Sequence, residues 1–109
     1  MQLESAFQRK VEKFLKRLGT VCWAEKIQQV GKRGIPDILV CLNGHFVALE
    51  LKRHQGAFTS KLQVHKLNMI SRAGGYAAKV YPENWEEIKT WLTTIGETDG
   101  NIKVRKLIK

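Results

Sequence analysis

The apolar positions along this chain change period several times, and each change marks an element. Leu3, Phe7, Val11, Phe14, Leu15 and Leu18 recur at three- and four-residue steps, so one apolar stripe predicts an amphipathic helix over 3–18, with Gly19 as its stop. Residues 20–29 are rich in β-branched and aromatic types and read as a first strand. Val30 to Gly34 forms a basic, glycine-bracketed turn. A second strand follows over 36–42, Asn43-Gly44 is a hairpin turn, and 45–52 is a third strand. His54 to Phe58 reads as a loop, 60–73 as a helix ended by Gly74-Gly75, and 76–81 as a fourth strand. Asn84 to Ile95 reads as another amphipathic helix with Trp85, Ile88, Leu92 and Ile95 inward and an Asn84/Glu87 capping box. A polar linker over 93–101 precedes a possible last strand over 102–108. The order α-β-β-β-α-β-α predicts a mixed α/β sheet with flanking helices, its third and fourth strands parallel across a right-handed crossover.

Composition narrows the class. A chain of 109 residues, 43% hydrophobic and 27% charged, suits one folded domain. Its longest apolar run, Ile38 to Leu42, is far short of the roughly 20 residues that span a bilayer, and no secretory leader is expected. Cys22 and Cys41 are too few for a disulfide framework or a cysteine-based zinc site, which points to a reducing cytoplasm. Cys41 and the tryptophans occupy apolar spacings and are expected to pack in the core. His45, His54 and His65 have no metal-ligand spacing.

The charge carries more information. Nineteen Lys and Arg against ten Asp and Glu give a formal net charge of +9, which favours a polyanionic partner. Arg9, Lys10, Lys13, Lys16 and Arg17 crowd the first helix, and Lys32-Arg33 and Lys52-Arg53 flank the hairpin. Lys103, Arg105, Lys106 and Lys109 load the C-terminal segment, while Glu83, Glu86 and Glu87 collect elsewhere. Lys10, Lys13, Lys32, Arg33 and Arg53 are therefore candidate phosphate contacts.

The hairpin is where chemistry concentrates. Asp37 opens an otherwise apolar strand, and Glu50 and Lys52 close the next on a shared face. A hairpin brings the start of one strand beside the end of its partner, so Asp37 is expected near Glu50 and Lys52. Each residue alone suits a turn cap or a solvated strand end. Together, two neighbouring carboxylates repel unless a cation lies between them, and Mg²⁺ accepts such ligands while leaving positions for phosphate oxygens. Lys52 is placed to neutralise a phosphate or orient water.

Asp37 followed by Glu50-Leu51-Lys52, with Pro36 before the aspartate, resembles the PD-(D/E)xK nuclease signature. The Gly34-Ile35-Pro36-Asp37 context and a helix from Ser60 containing Gln63 more narrowly resemble the VRR-NUC (virus-type replication–repair nuclease) domain, over roughly residues 2–82. Stand-alone, phage-type members are similar to Holliday-junction resolvases. The resemblance implies a restriction-endonuclease-like fold, a single nuclease domain over 1–109, and a Mg²⁺- or Mn²⁺-dependent DNA endonuclease. Asp37, Glu50 and the Leu51 carbonyl would be metal ligands and Lys52 the catalytic lysine. Glu4 on the first helix and Gln63 would stand at the site. Both also have capping readings: Ser5-Ala6-Phe7-Gln8 would leave Glu4 just outside the helix, and Ser60-Lys61-Leu62-Gln63 would make Gln63 a cap. The implied partner is branched DNA such as a four-way junction or flap, gripped by a homodimer without a membrane, in the cytoplasm of a bacterial or phage-infected cell. A non-catalytic nucleic-acid-binding module and an RNA-directed protein on the same fold are the alternatives.

Overall fold

Cross-strand pairs form the frame on which everything else is hung. The structure, a computed structural model, describes residues 2–27 and 34–100, and of 2–5 the backbone alone. The elements run α1 (Gln2–Arg17), β1 (Cys22–Lys26), β2 (Ile38–Leu42), β3 (His45–Leu51), α2 (Lys61–Arg72), β4 (Tyr76–Val80) and α3 (Trp85–Gly96). The sheet is ordered β1-β2-β3-β4. The first three strands are antiparallel, and β4 joins β3 in parallel after α2. This is the expected mixed α/β order. Among the described residues no helix is long and apolar enough to cross a membrane.

Asn43 and Gly44 both take positive φ, 48° and 89°, the backbone that a two-residue hairpin turn demands and that Asn-Gly tolerates best. The turn sets the β2–β3 register, Ile38 against Leu49 through Leu42 against His45. Residues paired in this way share a face. One face therefore carries Ile38, Val40 and Leu42 with Val47, Leu49, Leu51 and Val80, all buried. Phe7, Val11 and Leu15 of α1 and Trp85, Ile88, Leu92 and Ile95 of α3 complete that core. Trp85 meets Phe7 and Phe14 edge-on at centroid distances of 5.9 and 5.5 Å, joining the two helices.

The opposite face is thinly covered. Helix α2 lies over it with no buried residue of its own. Trp23 is 61% exposed there and Cys41 is exposed, although both were expected to pack inside. Strand alternation explains the correction: Trp23 pairs with Cys41 on the face away from α1 and α3.

Other expectations shift locally. The first strand is shorter than 20–29 at its start, because Gly19–Val21 forms a 3₁₀ turn. Helix α1 runs from Gln2, so Glu4 and Ser5 both lie within it, which corrects the capping reading that places Glu4 just outside. Asn84 makes no side-chain cap to α3. Its amide instead accepts from the Tyr81 N–H and donates to the Lys79 carbonyl, bracing a 3₁₀ turn over Pro82–Asn84. The turn residues 30–33 and the strand expected over 102–108 lie outside the described residues.

Gly34 fixes the approach of the chain to β2. It takes φ 77°, and a Cβ there would stand 2.8 Å from Leu62 Cγ and 3.2 Å from the Leu62 carbonyl oxygen. Left-handed backbone costs an L-residue about 1–2 kcal/mol, and the clash against α2 adds to it. Gly34→Ala is expected to lower stability by about 2–4 kcal/mol. Urea unfolding monitored by tryptophan fluorescence checks this, and an unchanged midpoint refutes the close approach.

Candidate active site

The β2–β3 register continues past the strands. Ile38 pairs with Leu49, so one step outward sets Asp37 against Glu50 on the thinly covered face. Asp37 is tied on both sides. Its carbonyl accepts from the Ile27 N–H at 2.8 Å, extending the β1–β2 ladder, and its Oδ2 accepts from the Leu51 N–H at 2.8 Å. The aspartate thus bridges from β2 to the end of β3.

Glu50 is 3% exposed, the one charged side chain buried among the described residues. Two partners engage its Oε2: Gln63 Nε2 donates to it at 2.6 Å, and Lys52 Nζ stands 3.4 Å away. Lys52 lies one residue beyond β3, but its N–H donates to the Val80 carbonyl at 2.8 Å. That bond keeps the strand alternation going, which puts Lys52 on the same face as Glu50. The ammonium also donates to Gln63 Oε1 at 3.2 Å and to the Phe58 carbonyl at 2.9 Å. Its side chain is 13% exposed, so the charge is held at the edge of solvent.

Gln63 joins these groups. Ser60 caps α2, its hydroxyl accepting from the Gln63 N–H at 3.1 Å, while Gln63 Oε1 accepts from the Ser60 N–H at 3.0 Å. The same amide oxygen meets Lys52 and the amide nitrogen meets Glu50. A reversed amide would set an NH₂ against an ammonium, so the acid and the lysine fix its orientation. The two sequence readings of Gln63, cap and site residue, both hold as geometry.

The other expected residues are dispersed. Glu4 lies in the first turn of α1, and its side chain is outside what the structure describes. Lys32 and Arg33 are outside the described residues. Arg53 is exposed in the loop directly after Lys52, and Lys10 and Lys13 are exposed on α1. Lys13 lines a cavity of about 540 Å³ between α1 and the edge strand β1, together with the bases Arg9, Lys16 and Lys26 and the acids Glu12 and Glu25. Lys26 pairs with Ile38, so it stands on the α1 face of the sheet, opposite the face shared by Asp37 and Glu50.

His45 bonds to Thr98 at the far end of the sheet, and His54 and His65 are exposed. Burial, and next the neighbouring Cys41, push the Cys22 thiol up, so it stays protonated at neutral pH. The two cysteines lie on opposite faces of the sheet and do not face each other. Ser60 and the Phe58 carbonyl were not anticipated at the site. The capping signature named Ser60, but nothing in a sequence marks which loop carbonyl a lysine will reach.

Among solved structures, the chain superposes on a VRR_NUC domain with a TM-score of 0.66 and 20% sequence identity, over 87% of this chain and 95% of the other. The chain has the VRR-NUC fold. That agrees with the resemblance to the VRR-NUC domain in fold and with the restriction-endonuclease-like order of its elements. No protein-family model and no curated protein matches the sequence.

Within this VRR-NUC fold Gln63 bears on stability as well as on the site. Gln63→Ala removes half of the α2 cap and a hydrogen bond to buried Glu50. It is expected to cost about 1–3 kcal/mol, seen as a lower melting temperature. A melting temperature equal to that of the parent would show that Gln63 holds neither group.

Proposed function

We propose that this chain is a metal-dependent DNA endonuclease that hydrolyses phosphodiester bonds, selects branched structures such as four-way junctions or flaps, and works as a homodimer. The observation that carries the reading is the cluster of Asp37, Glu50, Lys52 and Gln63 at one end of the central strands of a VRR-NUC fold. A protein that only bound nucleic acid would gain nothing from a buried glutamate beside a held lysine.

The donor set fits a hard divalent ion. Asp37 and Glu50 offer carboxylate oxygens and Leu51 a carbonyl, with no thiolate or imidazole among the clustered residues, which suits Mg²⁺ or Mn²⁺. When bound, such an ion would lower the pKa of a coordinated water and offset charge on the phosphoryl group. The chain's own residues do the rest. Lys52 has three donors and three partners, Glu50, Gln63 and the Phe58 carbonyl. On substrate binding its ammonium would exchange one of them for a phosphate oxygen. Gln63 holds Lys52 and Glu50 in register through that exchange. Arg53, Lys10 and Lys13 would carry the flanking phosphates.

Purified protein incubated with labelled four-way junctions, flaps, linear duplex, single strands and RNA tests the reading. Cutting of branched DNA is expected with Mg²⁺ or Mn²⁺ and not with EDTA. Asp37→Asn, Glu50→Gln and Lys52→Ala are each expected to lower the rate by at least about 100-fold while binding survives. No cutting of any substrate with either metal, or cutting in EDTA, would sink the nuclease proposal; cutting of RNA alone would favour the RNA-directed alternative. Light scattering that returns only monomer at micromolar concentration removes the dimer.

Electrostatic capture gives a separate prediction. With several Lys and Arg on phosphates, log affinity should fall against log salt with a slope magnitude above about 2. Fluorescence anisotropy across a salt series measures it, and a shallower slope argues against multiple phosphate contacts.

A further inference from the structure

The loop that supplies a partner to Lys52 also displays the most exposed large apolar side chain among the described residues. Phe58 is 82% exposed, while its own carbonyl accepts from Lys52 Nζ at 2.9 Å. A lone exposed phenylalanine elsewhere on a surface asks for no account. Here the backbone of the exposed ring is bonded to the lysine of the acidic site.

That backbone is anchored. The Ala57 N–H donates to the His54 carbonyl, the Phe58 carbonyl accepts from Lys52, and Ser60 caps α2. Ala57 and Thr59 are half-buried on either side of Phe58. The ring is presented outward from a fixed position. Along the chain the flanking charge has one sign: between Glu50 and Glu83 there is no acidic residue, while Arg53 and Lys61 are exposed on the same loop and the first turn of α2, and the nearby Glu50 is buried against Lys52 and Gln63. An aromatic face amid cations beside a phosphate-binding lysine matches how proteins hold unpaired nucleotides, with backbone on cations and base on ring.

We infer that Phe58 is a base-stacking residue that takes an unpaired nucleobase next to the phosphate contacted by Lys52, and so selects DNA in which a base is free to leave the helix stack. The inference rests on the nuclease reading for its substrate and supplies a physical source for structure selectivity. A continuous duplex keeps its bases stacked on one another and offers the ring nothing. A flap or junction arm offers a base whose stacking is already lost.

The experiment uses DNA carrying 2-aminopurine as the unpaired base at a flap junction, and a continuous duplex of the same sequence, with Ca²⁺ in place of Mg²⁺. Wild-type protein is expected to change 2-aminopurine fluorescence on the flap through stacking. Phe58→Ala is expected to abolish that change, to weaken flap binding by about 5- to 150-fold, and to leave duplex binding within about twofold. Phe58→Trp is expected to restore both signals. The ring packs on little, so Phe58→Ala should keep the parent melting temperature. Equal losses on flap and duplex, or no loss on either, overturn the inference. A change in oligomeric state by light scattering with unchanged DNA binding also overturns it, because the ring would then serve a protein contact. Wild-type cutting that is indifferent to Phe58→Ala refutes the stacking role alone. A Phe58-dependent fluorescence change without cutting in Mg²⁺ or Mn²⁺ refutes the nuclease reading alone.

Discussion

Glu50 is 3% exposed on β3, a strand with neighbours on both sides, and a carboxylate in that position must be offset by hydrogen bonds and an opposite charge. Each nearby feature follows from that need. Lys52 stays on the same face because its N–H continues the ladder to Val80. Gln63 reaches across from α2 to the same carboxylate oxygen. Gln63 is in turn held by Ser60, and Lys52 by the Phe58 carbonyl, so the loop 53–59 and the start of α2 are bonded to the acid through two intermediaries. A buried ion pair of this kind is weak evidence for stability.

The position of the acid depends on a turn at the opposite end of the sheet. Asn43 and Gly44 fix a two-residue hairpin, and the register they set reaches Asp37 and Glu50 only after five intervening pairs. A slip of one residue would send Glu50 to the apolar face and Leu49 or Leu51 to the site. The slip is prevented by burial of Ile38, Val40 and Leu42 with Val47, Leu49 and Leu51, all against α1 and α3. The apolar core thus specifies the polar site through strand parity.

The same parity explains what could be read from the chain before its structure. The hairpin, the element order and the meeting of Asp37, Glu50 and Lys52 depend on period-two alternation and an Asn-Gly turn, both local and visible. Trp23 and Cys41 were misread because apolar character was taken for burial, whereas the face a strand residue occupies is set by its partner's register. Asn84 was misread because two N–H donors, that of Tyr81 and one in the first turn of α3, compete for its one amide oxygen, and the 3₁₀ turn captured it. Gln63 was legible as a cap and as a site residue, and a short polar side chain with both a donor and an acceptor serves both. Lys52's bond to the Phe58 carbonyl had no signal, since it is set by the path of a loop.

The two faces of the sheet divide the work unequally. One is sealed by α1 and α3 and carries the apolar core. The other is crossed by α2, which buries no residue of its own. Its contact is made by half-buried side chains, Leu67 and Ile70 among them, over buried Ala48. It is also seated by the Gly34 approach to Leu62, by the packing of Ile70 and Phe46 around Gly75, and by the polar bonds of Gln63. An element held by a few specific contacts responds when one of them is exchanged. If Lys52 releases Gln63 for a phosphate oxygen, α2 loses one of its ties at the moment substrate arrives. If it releases the Phe58 carbonyl instead, the loop keeps its other ties, the Ala57 N–H to the His54 carbonyl and the Ser60 cap, and α2 is untouched. The choice between those partners decides whether binding is felt in the helix or in the loop. The 2.9 Å carbonyl bond is exposed and the amide bond half-buried, which makes the loop bond the cheaper one to exchange.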